Sequence, residues 1–252
     1  MKVSAVVVSH RSPEDAERCL RALAPEADEL VVVSDVPGSV GAVPDGTRVI
    51  ENERSRSFAE NANRGVAATA GEFVVLANPD AVAEPGAVTV LREFAESRPR
   101  CGIAGPQLIT PEGDWQPSRR SFPTVGGTLV RRTPLRFLFP PFERQRRHYL
   151  LDDRPQRPVE TDWMLAAFLL LRRAMLEQLG GLDPGYRMYG EDIDLCYRAK
   201  NAGWERWYVP AAVVRHRYAA VIDRRFFTRR TLWHLRGMAR FVRKHPERLR
   251  AL

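Results

Sequence analysis

Nowhere in the 252 residues does an apolar run approach the roughly 20 residues that a membrane-spanning helix needs. The longest, residues 163–171, has the length of one buried strand. The opening segment has a single lysine, a short apolar run and no small-residue cleavage site before a helix signal. It predicts a first core strand rather than a signal peptide. Cysteine is scarce. Cys19, Cys101 and Cys196 are odd in number, far apart and set in apolar surroundings. That pattern argues against a zinc site and predicts reduced, buried thiols in a cytoplasmic protein. G-x-G-x-x-G, Walker sequences and internal repeats are all missing, so dinucleotide and P-loop readings lose their main support.

Acidic residues are thin in two stretches. Ten arginines lie between Arg119 and Arg157, and ten Arg or Lys between Arg224 and Arg250, the latter against Glu247 alone. The net charge of +8 is therefore concentrated away from the first hundred residues. A positive surface of this kind suits an anionic partner or is simply a solvated face. No nucleic-acid reader motif accompanies the charge, so no nucleic-acid partner is expected.

Continuous β-branched or apolar runs predict strands over 2–9, 29–33, 49–50, 73–77 and 102–108. Helix signals lie between them over 13–24, 58–70 and 85–97. Alternation at this spacing predicts an α/β fold, a mostly parallel sheet with helices on both faces and ligands at the carboxyl ends of the strands. Residues 111–158 carry Pro, Gly and Arg with little periodicity and predict a functional loop region. Beyond it come a strand over 159–171, helices over 173–179 and 191–201, strands over 205–209 and 212–215, and a basic helix over 224–244.

Two clusters can carry chemistry. Asn78-Pro79-Asp80 closes a predicted strand, and side chains two apart on a strand share a face. The pair fits a hard divalent cation bridging nucleotide phosphates, and it also fits an ordinary Asn-Pro-Asp turn. Glu191-Asp192-Ile193-Asp194 places three carboxylates at a helix start, where acids act as caps or, facing a ligand, as a general base.

Taken in order, these elements resemble glycosyltransferase family 2, the inverting enzymes of GT-A fold, and its rhamnosyltransferase-like members. The resemblance runs from Val3 to about Pro246. It is carried by Val6-Val7-Val8-Ser9-His10, Val31-Val32-Val33-Ser34-Asp35, residues 51–65, Asn78-Pro79-Asp80, Asp162-Trp163, Gly180-Gly181-Leu182-Asp183, Glu191-Asp192-Ile193-Asp194-Leu195, Gly203-Trp204, Val209-Pro210 and His216. The chain departs from the family at Ser57, which often is Gly, at Ala166-Ala167-Phe168, and at Arg215, where many members have His.

The resemblance implies a cytoplasmic enzyme, with a peripheral contact on the inner face of the plasma membrane through its basic tail. It would transfer a sugar from a dTDP- or UDP-sugar to a glycan or polyprenyl-diphosphate-linked acceptor in cell-envelope synthesis. The competing reading is a non-catalytic sugar-nucleotide or glycan-binding module on the same fold. Residues 1–110 would form the nucleotide-sugar half, 111–222 the acceptor and catalytic half, and 223–252 the tail. By position, Ser9, Asp35, Asn61, Asn63, Asn78 and Asp80 would bind the nucleotide sugar. Asp80 and His216 would hold Mg²⁺ or Mn²⁺, and Trp163 and Asp194 would meet the acceptor. Asp192 would be the base, with Glu191 beside it.

Overall fold

The computed structural model describes residues 1–123, 150, 152–217 and 229–250. Most of the arginine-rich stretch, and Arg224, Phe226 and Phe227 of the expected basic helix, lie outside these residues.

The first half alternates strand and helix. β1 (Val3–Ser9) leads through α1 (Pro13–Leu23) to β2 (Glu29–Ser34) and β3 (Arg48–Glu51). Then come α2 (Phe58–Ala67), β4 (Phe73–Ala77), β5 (Ala81–Ala83), α3 (Ala87–Glu96) and β6 (Cys101–Ile109). Short strands β7 (Trp115–Gln116) and β8 (Arg119–Arg120) follow. After residues 124–149 the chain forms β9 (Val159–Glu160), β10 (Trp163–Met164) and β11 (Phe168–Arg172). It closes with α4 (Arg173–Leu179), α5 (Glu191–Asn201), β12 (Glu205–His216), α6 (Arg229–Lys244) and a 3₁₀ turn, Pro246–Arg250.

The main sheet has the order β3-β2-β1-β4-β11-β6-β12-β5. Its first four strands are parallel, β11 runs antiparallel between β4 and β6, and β12 is parallel to β6. Alternation along each strand divides the core. Val3, Ala5 and Val7 with Phe73, Val75 and Ala77 meet α1 and α3. Val6, Val8, Val74 and Leu76 face the side covered by α2, α4, α5 and α6. Strands buried on both faces explain why the runs read as continuous apolar stretches. The close approach of α2 to β1 needs Gly65, where a Cβ would stand 2.2 Å from Val6 Cγ1.

Two expectations change. The run over 159–171 divides into β9, β10 and β11, because Thr161-Asp162 and Ala166-Ala167 turn the chain. The strands expected over 205–209 and 212–215 are one strand, β12, with a register shift between Val209 and Val213 that accommodates Pro210. All three cysteines are free and buried.

Candidate active site

The carboxyl ends of β1, β2 and β4 and the end of β12 open on one edge of the sheet, and the polar residues collect there. Ser9 is fully buried, and its hydroxyl donates to Ser39 O at 2.6 Å. His10, the next residue, is half-exposed and places Nδ1 2.7 Å from Asp35 Oδ2. Asp35 also accepts from Ser55 Oγ at 2.7 Å, the Arg56 backbone N–H at 2.7 Å and Asn61 Nδ2 at 2.8 Å. Burial pushes this carboxyl up, but the four hydrogen bonds outweigh it and hold it below the usual carboxylate range. Two carboxylate oxygens offer about four acceptor sites, so the protein itself occupies Asp35. Asn61 is buried between Asp35 and Asn52, whose Nδ2 donates to Asn61 Oδ1 at 2.7 Å.

Ser57 stands in extended backbone at φ −70° and caps α2 in a reciprocal box with Glu60. That is why serine serves where the family often has glycine. Asn63 clamps the chain across the cleft: Nδ2 donates to Leu182 O at 2.7 Å and Oδ1 accepts from Leu182 N–H at 2.9 Å.

Asn78 and Asp80 are half-buried at the end of β4. Asp80 Oδ1 lies 3.6 Å from His216 Nε2, at the end of β12. Burial raises the Asp80 carboxyl and His216 opposes the rise; burial lowers the His216 imidazole, so it is held below its ordinary value and neutral near pH 7. Gln116 of β7, itself buried, brings Oε1 to 3.0 Å from His216 Nδ1. The contact orients the imidazole and directs Nε2 at Asp80. Gln116 carries no sequence signal of its own, because it lies in a Pro/Gly/Arg stretch without periodicity. Among the described residues no group of three or more His, Cys, Asp or Glu converges to hold a metal. One carboxylate and one imidazole lone pair fit a different kind of site, in which a divalent cation takes its remaining ligands from water and substrate phosphates.

The acid cluster opens α5. Tyr189 (φ 73°) and Gly190 (φ 101°) are both left-handed, a sharp turn that places Glu191 and Asp192 in the first helical positions. Burial raises the Asp192 carboxyl to about 6, against backbone hydrogen bonds from Ile193, Ala166, Asp192 and Gly190. Burial, with the adjacent Asp192 charge, raises Glu191 to about 8. Glu191 Oε2 has no hydrogen-bond partner among the described residues. At neutral pH the two adjacent carboxyls are therefore disposed to hold one proton between them. Ala166 links to Asp192, and Ala167 O accepts from Asn78 N–H at 2.8 Å, so the acid pair and the Asp80 corner meet across one dipeptide.

Asp194 points elsewhere. It is fully buried, with Arg198 Nε at 2.7 Å, Lys244 Nζ at 2.9 Å, His245 Nε2 at 2.9 Å and Tyr186 Oη at 3.3 Å. Trp163 is buried too, and its Nε1 donates to Ser121 O at 2.8 Å. The apolar face of α6 packs on the domain through Met238 and Phe241, while Arg240 and Lys244 pair with Asp183.

Residues 2–240 match the family described as glycosyltransferase like family 2. The chain belongs to that family. This family 2 chain is 37% identical over 150 residues to N-acetylglucosaminyl-diphospho-decaprenol L-rhamnosyltransferase of Mycobacterium tuberculosis, a match covering 59% of this chain and 48% of the relative. It is 42% identical over 81 residues to rhamnosyltransferase WbbL of Escherichia coli, covering 32% of this chain and 30% of that one. The match thus spans about half the length of the mycobacterial relative. Among solved structures, GalNAc-T7 with UDP, GalNAc and Mn²⁺ superposes with a TM-score of 0.64 at 17% identity, over 86% of this chain and 43% of that one. A mannosyltransferase from Pyrobaculum calidifontis with GDP-Man and Mn²⁺ gives 0.54 at 16% identity, over 85% and 56%. Both share the GT-A fold of this family 2 chain.

Proposed function

We propose that this family 2 chain is an inverting glycosyltransferase. It moves a sugar, rhamnose by analogy with its named relatives, from a nucleoside diphosphate to a lipid-diphosphate-linked or glycan acceptor. The observation that carries the reading is the juxtaposition of two units of opposite use across Ala166-Ala167. One is an ionised carboxylate raised toward neutrality, and the other is a carboxylate–imidazole corner suited to a cation-bound diphosphate. A module that only bound sugars would have no use for a half-buried base poised near 6.

Asp192 accepts the proton of an acceptor hydroxyl as that oxygen attacks the anomeric carbon from the face opposite the diphosphate. The bond from that carbon to the diphosphate oxygen breaks, and the new glycosidic bond forms with inverted configuration. A base pKa near the working pH combines ionisation with useful proton affinity. Glu191, holding its proton, adds no second charge beside the base. Asp80 and His216 would hold Mg²⁺ or Mn²⁺, which neutralises the departing diphosphate. Asp35, Asn61 and Asn63 shape the nucleotide cleft through the protein contacts described above rather than as open ligand groups.

A panel of nucleoside diphosphates titrated with and without Mn²⁺ tests the donor half. At least one should raise the unfolding midpoint, more so with the cation, because a ligand of the native state stabilises it. No stabilisation by any nucleoside diphosphate or its sugar would remove the donor assignment.

A further inference from the structure

Tyr189 and Gly190 hold left-handed backbone, φ 73° and 101°, immediately before the acid pair. Glycine accepts such angles; a tyrosine keeps them only where its surroundings impose them. Gly190 is also the N-cap of α5 and offers no side chain to close the first helical turn. The turn is held instead by α6. A Cβ on Gly237 would stand 2.3 Å from Tyr189 O and 3.3 Å from its carbonyl carbon. Glycine within a helix is unfavourable relative to alanine, so the residue at this place serves the contact and not the helix. The Tyr189 ring stands 6.0 Å from that of His234, three residues earlier on α6. On the other side, a Cβ on Gly190 would meet the Tyr186 ring at 3.0 Å and Met238 Cε at 3.4 Å.

The peptide joining Tyr189 to Gly190 is planar and trans, so its C=O and N–H point in opposite directions. The C=O lies against Gly237, and the Gly190 N–H is one of the donors to the Asp192 carboxyl. The preceding amide, Tyr189 N–H, is directed at Glu191. Helix α6 thus bears, through one rigid unit, on a group that aims a hydrogen bond at Asp192. The other end of α6 is tied to the same helix α5: Lys244 Nζ, and His245 Nε2 just beyond it, each lie 2.9 Å from Asp194.

We infer that α6 is a positioning element of the active site and Gly237 its contact residue: seated on the bare Cα of Gly237, the Tyr189–Gly190 peptide keeps its N–H on Asp192. The role of Asp192 as base rests on the transfer reading; the packing stands on the geometry alone. Gly237 touches no substrate. It acts through the peptide plane, which a methyl group at this position would tilt.

Gly237→Ala, His234→Ala and Ala239→Gly in the full chain test it. The last is a control that loosens α6 at an exposed position away from the turn. One readout is the turnover of sugar transfer with both substrates saturating. The other needs no substrate: ¹³C NMR titration of the Asp192 carboxyl carbon, assigned with Asp192→Asn and followed together with Glu191, since adjacent carboxyls titrate as a pair. Gly237→Ala should slow turnover roughly tenfold or more, the scale of a misplaced catalytic group. It should also raise the Asp192 titration midpoint by roughly half a pH unit or more, because a hydrogen bond to the charged form is lost. His234→Ala should move both readouts the same way by smaller amounts. Binding of a nucleoside diphosphate with Mn²⁺ should be unaltered in all three, and Ala239→Gly should lower the thermal midpoint and move neither readout. An unchanged Asp192 titration in folded Gly237→Ala overturns the inference, whatever the turnover. So does an equal change in Ala239→Gly, which would make α6 a support for the fold alone. If Gly237→Ala does not fold, His234→Ala decides by the same titration. If the titration moves while turnover does not, or the wild type transfers no sugar, the base assignment fails and the positioning stands.

Discussion

His216 and Gln116 face each other with Nδ1 and Oε1 3.0 Å apart, both side chains buried. The contact orients the imidazole and turns Nε2 toward Asp80. A partner of this kind behind a metal-binding histidine typically contributes 10- to 100-fold in affinity. Gln116→Leu should therefore weaken Mn²⁺-dependent binding of a nucleoside diphosphate by roughly tenfold. Binding without the cation should hardly change. Calorimetry in Mn²⁺ and in EDTA separates the two, and an equal loss in both would show that Gln116 only supports the fold.

The pH dependence of kcat/KM should follow Asp192. The base must be ionised, and burial places its pKa at about 6. Activity should therefore fall tenfold per pH unit below that value and level off above it. An acidic limb centred near the ordinary aspartate value of about 4 would mean that the site does not bury the base.

Stability should move oppositely. A carboxyl raised from 3.8 in the unfolded chain to about 6 in the folded one binds more protons when native. Its favourable contribution is present below pH 3.8 and is lost as pH rises through about 6. Asp192→Asn should thus raise the unfolding midpoint at pH 8 by at least a few degrees, with the gain shrinking toward pH 4. Thermal scans at both pH values check the sign.

Asp194 should behave as a fold residue. Burial raises its carboxyl, but His245, Arg198 and Lys244 hold it below the usual range. Removing one partner of a buried ion pair typically costs about 3–5 kcal/mol. Asp194→Ala should destabilise the chain on that scale in urea titrations and loosen α6. At temperatures where the variant remains folded, the KM for acceptor should be near normal.

Much of the frame was legible because its strands are buried on both faces. The runs at β1, β2 and β4 carry apolar side chains toward both faces, and α4 and α5 fall where the sequence placed them. Helix α2 stops at Ala67 rather than 70 because Thr69 turns its hydroxyl onto Val66 O. The site was legible by residue type but less so by direction. Asp35, Asn61, Asn63 and Asp194 are polar residues near a cleft, and sequence does not reveal that each is held by protein partners. Nor does it reveal that Gln116, a hundred residues before His216, stands behind it. Such pairings depend on which strands the sheet makes neighbours.

The central claim is that Asp192 is the base and Glu191 its protonated neighbour. Single-turnover sugar transfer by Asp192→Asn and Glu191→Gln, with donor and acceptor both saturating, tests it most directly. Asp192→Asn should slow the step by roughly 10²-fold or more, with donor affinity little changed, and Glu191→Gln should be milder because it replaces a group already neutral at pH 7. Near-normal transfer by Asp192→Asn with an inactive Glu191→Gln would contradict the account and assign the base to Glu191.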